Sequence, residues 1–253
     1  MQLWTPTWTI TPPRADPSSV SHFGGVPYGL PAERWPVCAQ CGVVMTPLLC
    51  LEPGPWLPRV PEDHVALVFK CEDEGICDFW DGESGANACL LVSRAELAAQ
   101  PLLLPADVVD GRTRLLPQVW VGTWEPSDDG LTAEQSEALD DPVRFWDLPE
   151  AIQFSHGFQT ARLTKAGGAP YWTGNGPDDD PPRPRHLLFQ IDSAIMVSDS
   201  RDALVEHVAG DGFSEIDDDG ALSAANLALD GIAYLFDITP QAARPTLRLV
   251  VKR

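Results

Sequence analysis

Apolar residues in this chain come in short runs, not on helical faces. The runs at 43–51, 64–69, 88–92, 189–197, 232–238 and 246–251 are bounded by proline, glycine or acidic residues. Runs of that length between breakers predict strands. Pro53, Pro55, Pro58 and Pro61 separate the first two and exclude a helix there. The opening twenty residues, rich in proline, threonine and tryptophan, predict an extended lead-in strand, and 106–125 reads as strand ending in Val119-Trp120-Val121-Gly122-Thr123-Trp124. Helices are few and short. Ser93 with Glu96 forms a capping-box pattern opening a helix over 94–99. Thr132 precedes an acidic stretch in which Glu134 and Glu137 would lie in the first helical turns, and 201–209 gives a third helix.

One pattern occurs twice. Gly24-Gly25-Val26-Pro27-Tyr28 precedes Leu48-Leu49-Cys50-Leu51-Glu52, and Gly167-Gly168-Ala169-Pro170-Tyr171 precedes Leu188-Phe189-Gln190-Ile191-Asp192. Later in each block, His64-Val65-Ala66-Leu67-Val68-Phe69 is matched by Gly231-Ile232-Ala233-Tyr234-Leu235-Phe236. Ordered self-similarity of this kind predicts a duplicated unit. The expected fold is therefore a β-rich α+β architecture, internally duplicated, with antiparallel sheets and a few short helices. Its halves fall at 1–145 and 146–253, joined near Asp141-Pro142 to Pro149 and packed as one unit.

Composition narrows the function classes. The 253 residues carry 37 acidic and 17 basic side chains, a formal charge of -20, which repels a nucleic-acid backbone and favours a partner with a basic surface. The first residues lack a basic segment followed by an apolar one, and no run reaches the roughly 20 apolar residues of a membrane span. A soluble, cytoplasmic protein without membrane association is expected.

The six cysteines all lie in the first half, at 38, 41, 50, 71, 77 and 89. Cys38-Ala39-Gln40-Cys41-Gly42 has the form of a zinc knuckle: two thiolates two residues apart can share one tetrahedral ion, and a glycine lets the backbone turn toward the sulfurs. Cys71 and Cys77 are the expected remaining ligands of a structural Zn2+, since Cys71 ends an apolar run and the residues after it can turn back. Buried free thiols are the alternative. A redox dithiol fits less well, because no helix follows Cys41. Cys50 and Cys89 sit inside apolar runs and read as core residues.

With these features in hand, the sequence resembles the bacterial YwqG-like family. The matching segments are Gly24 to Pro27, Trp35-Pro36-Val37-Cys38-Ala39-Gln40-Cys41-Gly42, Met45, the run ending at Cys71, Cys77 to Trp80, and Ser84-Gly85-Ala86-Asn87. In the second half they are Thr164 to Trp172 and Leu188 to Ser193. The resemblance implies a distant similarity to programmed-cell-death-2-type chaperones, and a chaperone-like or toxin-immunity-like role. It carries no catalytic residues. Arg183-Pro184-Arg185-His186 stands where some relatives have another cysteine knuckle, so a second metal site is not expected.

The leading functional expectation is a non-enzymatic protein-interaction module, with tryptophans such as Trp35, Trp56, Trp80 and Trp172 as candidate anchors. The alternative is a hydrolase or small-ligand-binding protein using some of His22, His64, His156, His186 and His207, of which His156 stands in the most loop-like polar context. Against it, the chain has no nucleophile-elbow, metalloprotease, P-loop or dinucleotide-binding fingerprint. Asp217-Asp218-Asp219-Gly220 lacks EF-hand spacing and reads as a solvated turn.

Overall fold

A computed structural model describes residues 1–14, 20–73, 75, 77–97, 103–153, 164–172, 176–177, 179–227 and 231–252. The apolar runs form strands β1 (Gln2–Thr9), β2 (His22–Phe23), β3 (Thr46–Leu51), β4 (His64–Lys70), β5 (Asn87–Ser93), β6 (Val119–Asp128), β7 (Lys165–Gly167) and β8 (His186–Asp192). After these come β9 (Ile195–Met196), β10 (Glu215–Ile216), β11 (Ala221–Ser223), β12 (Ile232–Asp237) and β13 (Leu247–Lys252). Four short helices accompany them: α1 (Ala106–Val109), α2 (Ala133–Leu139), α3 (Glu150–Gln153) and α4 (Arg201–His207).

Ten strands make one antiparallel sheet in the order β13-β12-β8-β7-β1-β6-β2-β3-β4-β5, and β10-β11-β9 form a small second sheet. The large sheet curls into a nearly closed barrel. Its two edge strands come together where the Cys89 thiol accepts the Leu249 backbone N–H, and Arg248 pairs with Glu83 at 2.9 Å beside that seam. Closure leaves little free sheet edge. It also explains the uninterrupted apolar runs: every residue of β3, β4 and β12 is buried, so neither face of those strands needs the polar alternation of a half-exposed sheet.

The strand order reads outward from β1 and β6 in the same way on both sides. In one direction lie β2, β3, β4 and β5; in the other lie β7, β8, β12 and β13. The registers correspond as well. Phe23 pairs with Leu49 and Leu49 with Val68, while Ala166 pairs with Phe189 and Phe189 with Leu235. The Ser21 hydroxyl accepts the Glu52 N–H at 2.9 Å, and the Thr164 hydroxyl accepts the Asp192 N–H at 3.0 Å. All four glycines of the two G-G-x-P segments have positive φ, between 64° and 69°, a backbone region that glycine enters without a Cβ penalty.

Several sequence expectations are refined. The stretch 106–125 is not one strand: after Pro105 it opens with the helical turn α1, and β6 begins only at Val119. The run 189–197 breaks because the Asp192 carboxylate accepts bonds from the Ser193 hydroxyl and the Ala194 N–H, turning the chain between β8 and β9. The run from 43 becomes strand at Thr46, and Pro47 sits at a register shift, where a missing N–H is tolerated. The capping box at Ser93 and Glu96 forms, but over the 3-10 turn Arg94–Glu96; the far end of the expected helix lies partly outside the described residues. Thr132 caps α2, its hydroxyl accepting the Gln135 N–H. Asp217 to Gly220 is a turn closed by Gly220 N–H to the Asp217 carbonyl at 3.2 Å.

Candidate metal centre

The knuckle is a tight reversal of the chain. The Cys38 N–H donates to the Val43 carbonyl and the Gly42 N–H to the Cys38 carbonyl, both at 2.9 Å. Gly42 has φ +74° with open space around a would-be Cβ, so the turn needs its backbone freedom, not its small size. Cys71 follows directly on β4, held by its N–H to the Ala86 carbonyl at 2.8 Å, and the Cys77 N–H returns to the Asp73 carbonyl at 3.2 Å.

The two pieces are locked to each other. Ala39 N–H donates to the Gly85 carbonyl at 3.0 Å, and a Cβ on Gly85 would stand 2.7 Å from that of Ala39. Gln40 bridges the gap with both ends of its amide: Nε2 donates to the Ser84 carbonyl at 3.2 Å and Oε1 accepts the Asp78 N–H at 2.9 Å. Lys70, fully buried, sends Nζ to the Cys71 carbonyl and the Glu72 carboxylate at 2.8 and 2.9 Å, over the Phe79 ring at 4.0 Å.

The outcome is one cluster. The sulfurs of Cys38, Cys41, Cys71 and Cys77 all lie within 4.8 Å of one another. Cys38 and Cys77 are 3.6 Å apart and Cys41 and Cys71 are 3.8 Å apart. A tetrahedron with Zn–S bonds of about 2.3 Å has edges of about 3.8 Å, whereas a disulfide would need about 2.05 Å. Four soft sulfur donors at these separations fit a zinc-type ion; all six cysteines are free thiols.

Burial resists ionisation of Cys38, yet the N–H groups of Cys41 and Gln40 aimed at its sulfur bring it below the ordinary thiol range. Burial pushes Cys71 up to about 11, partly offset by the Asp73 N–H, and burial together with its sulfur neighbours pushes Cys77 upward. Four adjacent thiolates repel one another unless a cation sits among them. Cys50 and Cys89 stand apart from the cluster, each driven to about 12 by burial, and behave as core thiols.

The remaining candidates disperse. His22 is buried with Nδ1 near the Gly24 carbonyl, His64 contacts Asp63 and Arg244, and His207 contacts the Gln118 carbonyl. His186 belongs to β8, and His156 lies outside the described residues. No described histidine hydrogen-bonds a serine or cysteine. Of the tryptophans singled out, Trp35 and Trp172 are core residues, 4% and 1% exposed, and Trp56 and Trp80 are half-buried. Sequence reading missed Gln40, Lys70 and Gly85 as supports of the cluster. Gly85, inside the Ser84-Gly85-Ala86-Asn87 segment already noted, was the available signal. No family model and no curated protein matches this chain.

Proposed function

We propose that the protein is a non-enzymatic interaction module, chaperone-like or toxin-immunity-like, built on a duplicated YwqG-like unit stapled by one structural zinc ion. The reading rests on the all-sulfur donor set: four thiolates complete a tetrahedral zinc and leave no position for a substrate. Cys38, Cys41, Cys71 and Cys77 would hold the ion, which would contribute folding energy and no chemistry. Duplication is supported by the matching strand order and registers on the two sides of β1 and β6, together with the repeated G-G-x-P segments. On this reading the second unit begins at β6, ahead of the expected join at 145–146, and β1 and β6 are exchanged between the units.

The work of such a scaffold lies on its surface. A charge of -20 favours a basic protein partner, and the loops after Tyr28 and Tyr171 border the proposed contact area. Among the described residues, Trp146 and Phe213, 56% and 74% exposed, are aromatic side chains available as anchors. No described helix is long and apolar enough to cross a membrane, and the free thiols favour a reducing, cytoplasmic setting.

Two measurements test this. Elemental analysis of protein purified without added metal should find one zinc per chain, falling in the Cys38→Ser variant; absence of zinc in the unmodified protein would refute the staple. Affinity capture from native cytoplasm at two salt concentrations should recover a basic, stoichiometric protein lost at high salt. Failure to recover any such protein at low salt would reject the interaction reading.

A further inference from the structure

Away from the cysteine cluster, a cleft of about 210 Å³ is walled by Arg14, Ser21, Glu52, Trp56, Arg94 and Trp124. Glu52 is only 5% exposed. The Ser21 hydroxyl fixes its backbone, and Arg94 Nη2 donates to Oε2. Oε1 is buried and has no hydrogen-bond partner among the described residues. A buried carboxylate oxygen without a donor costs more than an unpaired neutral group, and the Glu52 side chain belongs to the wall of this cleft. The indole of Trp56, tied by Nε1 to the Glu52 carbonyl at 3.1 Å, stacks on Trp124 with ring centroids 5.0 Å apart. A Cβ on Gly54 would reach within 2.5 Å of the Trp56 ring, so the glycine there permits that placement.

Charge makes the cleft an exception. Among the described residues, its two guanidiniums outnumber its one carboxylate in a chain of net charge -20. Arg14 forms no ion pair among the described residues and is exposed; Arg94 is 40% exposed and keeps further N–H groups beyond the one given to Glu52. An arginine fork beside an open space is suited to a carboxylate. A ligand must therefore bring a donor, best a cationic one, to Glu52 and an anion to the arginines, with an apolar body against the indoles.

We propose that this cleft binds a free α-amino acid with a flat or branched apolar side chain. Its ammonium donates to Glu52 Oε1, its carboxylate meets Arg14 and Arg94, and its side chain lies on Trp124. A peptide terminus carries only one of the two charges, so the free zwitterion is the ligand that completes the site. The site is independent of the zinc centre and of any protein partner.

The test uses the full, metal-loaded protein, titrated with phenylalanine by calorimetry and by saturation-transfer NMR up to about 10 mM, which reaches weak millimolar affinities. Phenylalaninamide and N-acetylphenylalanine, each lacking one charge, serve as comparison probes. Saturable binding of phenylalanine is expected, weakened more than about tenfold by Glu52→Gln, by Arg14→Gln and by either cap. Arg14 is exposed, so that variant separates loss of contact from loss of fold. Asp192→Asn, at the corresponding place behind Thr164, should leave binding unchanged. No binding of phenylalanine, equal binding of a capped probe, or insensitivity to both cleft variants would overturn the proposal.

Discussion

The corner before β3 and the corner before β8 meet the same structural demand with different chemistry. Ahead of β3, Cys38, Cys41, Cys71 and Cys77 converge, and Lys70 lies over Phe79. Ahead of β8, Arg185 is wholly buried. Its Nε and Nη2 grip Asp140 at 3.0 and 2.7 Å, its Nη1 reaches the Pro181 carbonyl at 2.6 Å, and its plane lies over Trp172 and Phe236. Arg183 adds a bond to Asp141 at 2.6 Å. A loop that must cross the end of a barrel needs cross-links to hold it. One half has thiols that can be tied by a metal, and the other uses guanidinium bonds and ring stacking, which need no ion.

The largest expected effect comes from breaking the sulfur corner. On the zinc reading, the unfolded chain has no preformed site, so metal binding is folding free energy, on the order of 10 kcal/mol or more in small zinc domains, and part of that should be lost here. Cys71→Ser, or exhaustive chelation of the unmodified protein, should lower the unfolding midpoint sharply in a thermal scan. Asp140→Asn should leave bound zinc unchanged. A chelator that leaves the midpoint untouched would mean that the thiols hold the corner without a metal.

Breaking the arginine corner ranks second. Asp140→Asn removes the charge from under a buried guanidinium, and stranding one partner of a buried pair costs about 3–5 kcal/mol. Urea unfolding should show that loss. Replacing both partners, Asp140→Leu with Arg185→Met, should recover most of it, because the desolvation of both charges disappears together. If the double variant is no better than the single one, ring stacking and the Pro181 bond outweigh the ion pair.

How much of this contrast the sequence carried differs between the corners. The cysteine corner was legible because metal chemistry needs particular residue types at close spacing: Cys38 and Cys41 announce themselves, and Cys71 and Cys77 follow because Cys71 ends an apolar run and the residues after it can turn back. The arginine corner was not. Arg185 and Asp140 are 45 residues apart, and nothing local distinguishes a buried arginine from a surface one until the sheet has folded. The β-rich character was readable from short runs and breakers, and the strands His64–Lys70 and Ile232–Asp237 stand close to where those runs put them. Closure of the sheet was not readable, because the meeting of β5 with β13 is set by accumulated curvature and leaves no mark on either strand.

A third difference concerns pH. His22 pairs across the sheet with Cys50, while the second half sets Lys165 against Gln190. Burial lowers His22 to about 4 from 6.5, opposed only by its bond to the Gly24 carbonyl. The unfolded chain binds this proton more readily, so the contribution is fully present above pH 6.5 and is lost as pH falls toward 4, about 3 kcal/mol across the window. Stability measured from pH 7 to 4 should slope downward, and His22→Phe should flatten most of that slope. His186, also lowered by burial, keeps a residual slope of the same sign. An unchanged slope in the variant would place the acid sensitivity elsewhere.

The smallest effect separates the two glycine turns themselves. Gly24 and Gly167 have nearly the same φ, +64° and +69°, so alanine at either pays the left-handed penalty of about 1–2 kcal/mol. Their surroundings differ. A Cβ on Gly24 would lie 2.3 Å from the Pro117 carbonyl oxygen and 2.9 Å from that of Leu116, both backbone atoms that cannot swing aside. On Gly167 the nearest atom is the Gln2 carbonyl oxygen at 3.2 Å, a contact relieved by a shift of a few tenths of an ångström near the start of β1. Gly167→Ala should therefore cost about 1–2 kcal/mol in urea unfolding, and Gly24→Ala roughly twice that or more, because the segment before β6 must move. Equal losses would mean that backbone conformation alone, and not the approach of the crossing strand, requires glycine in both turns.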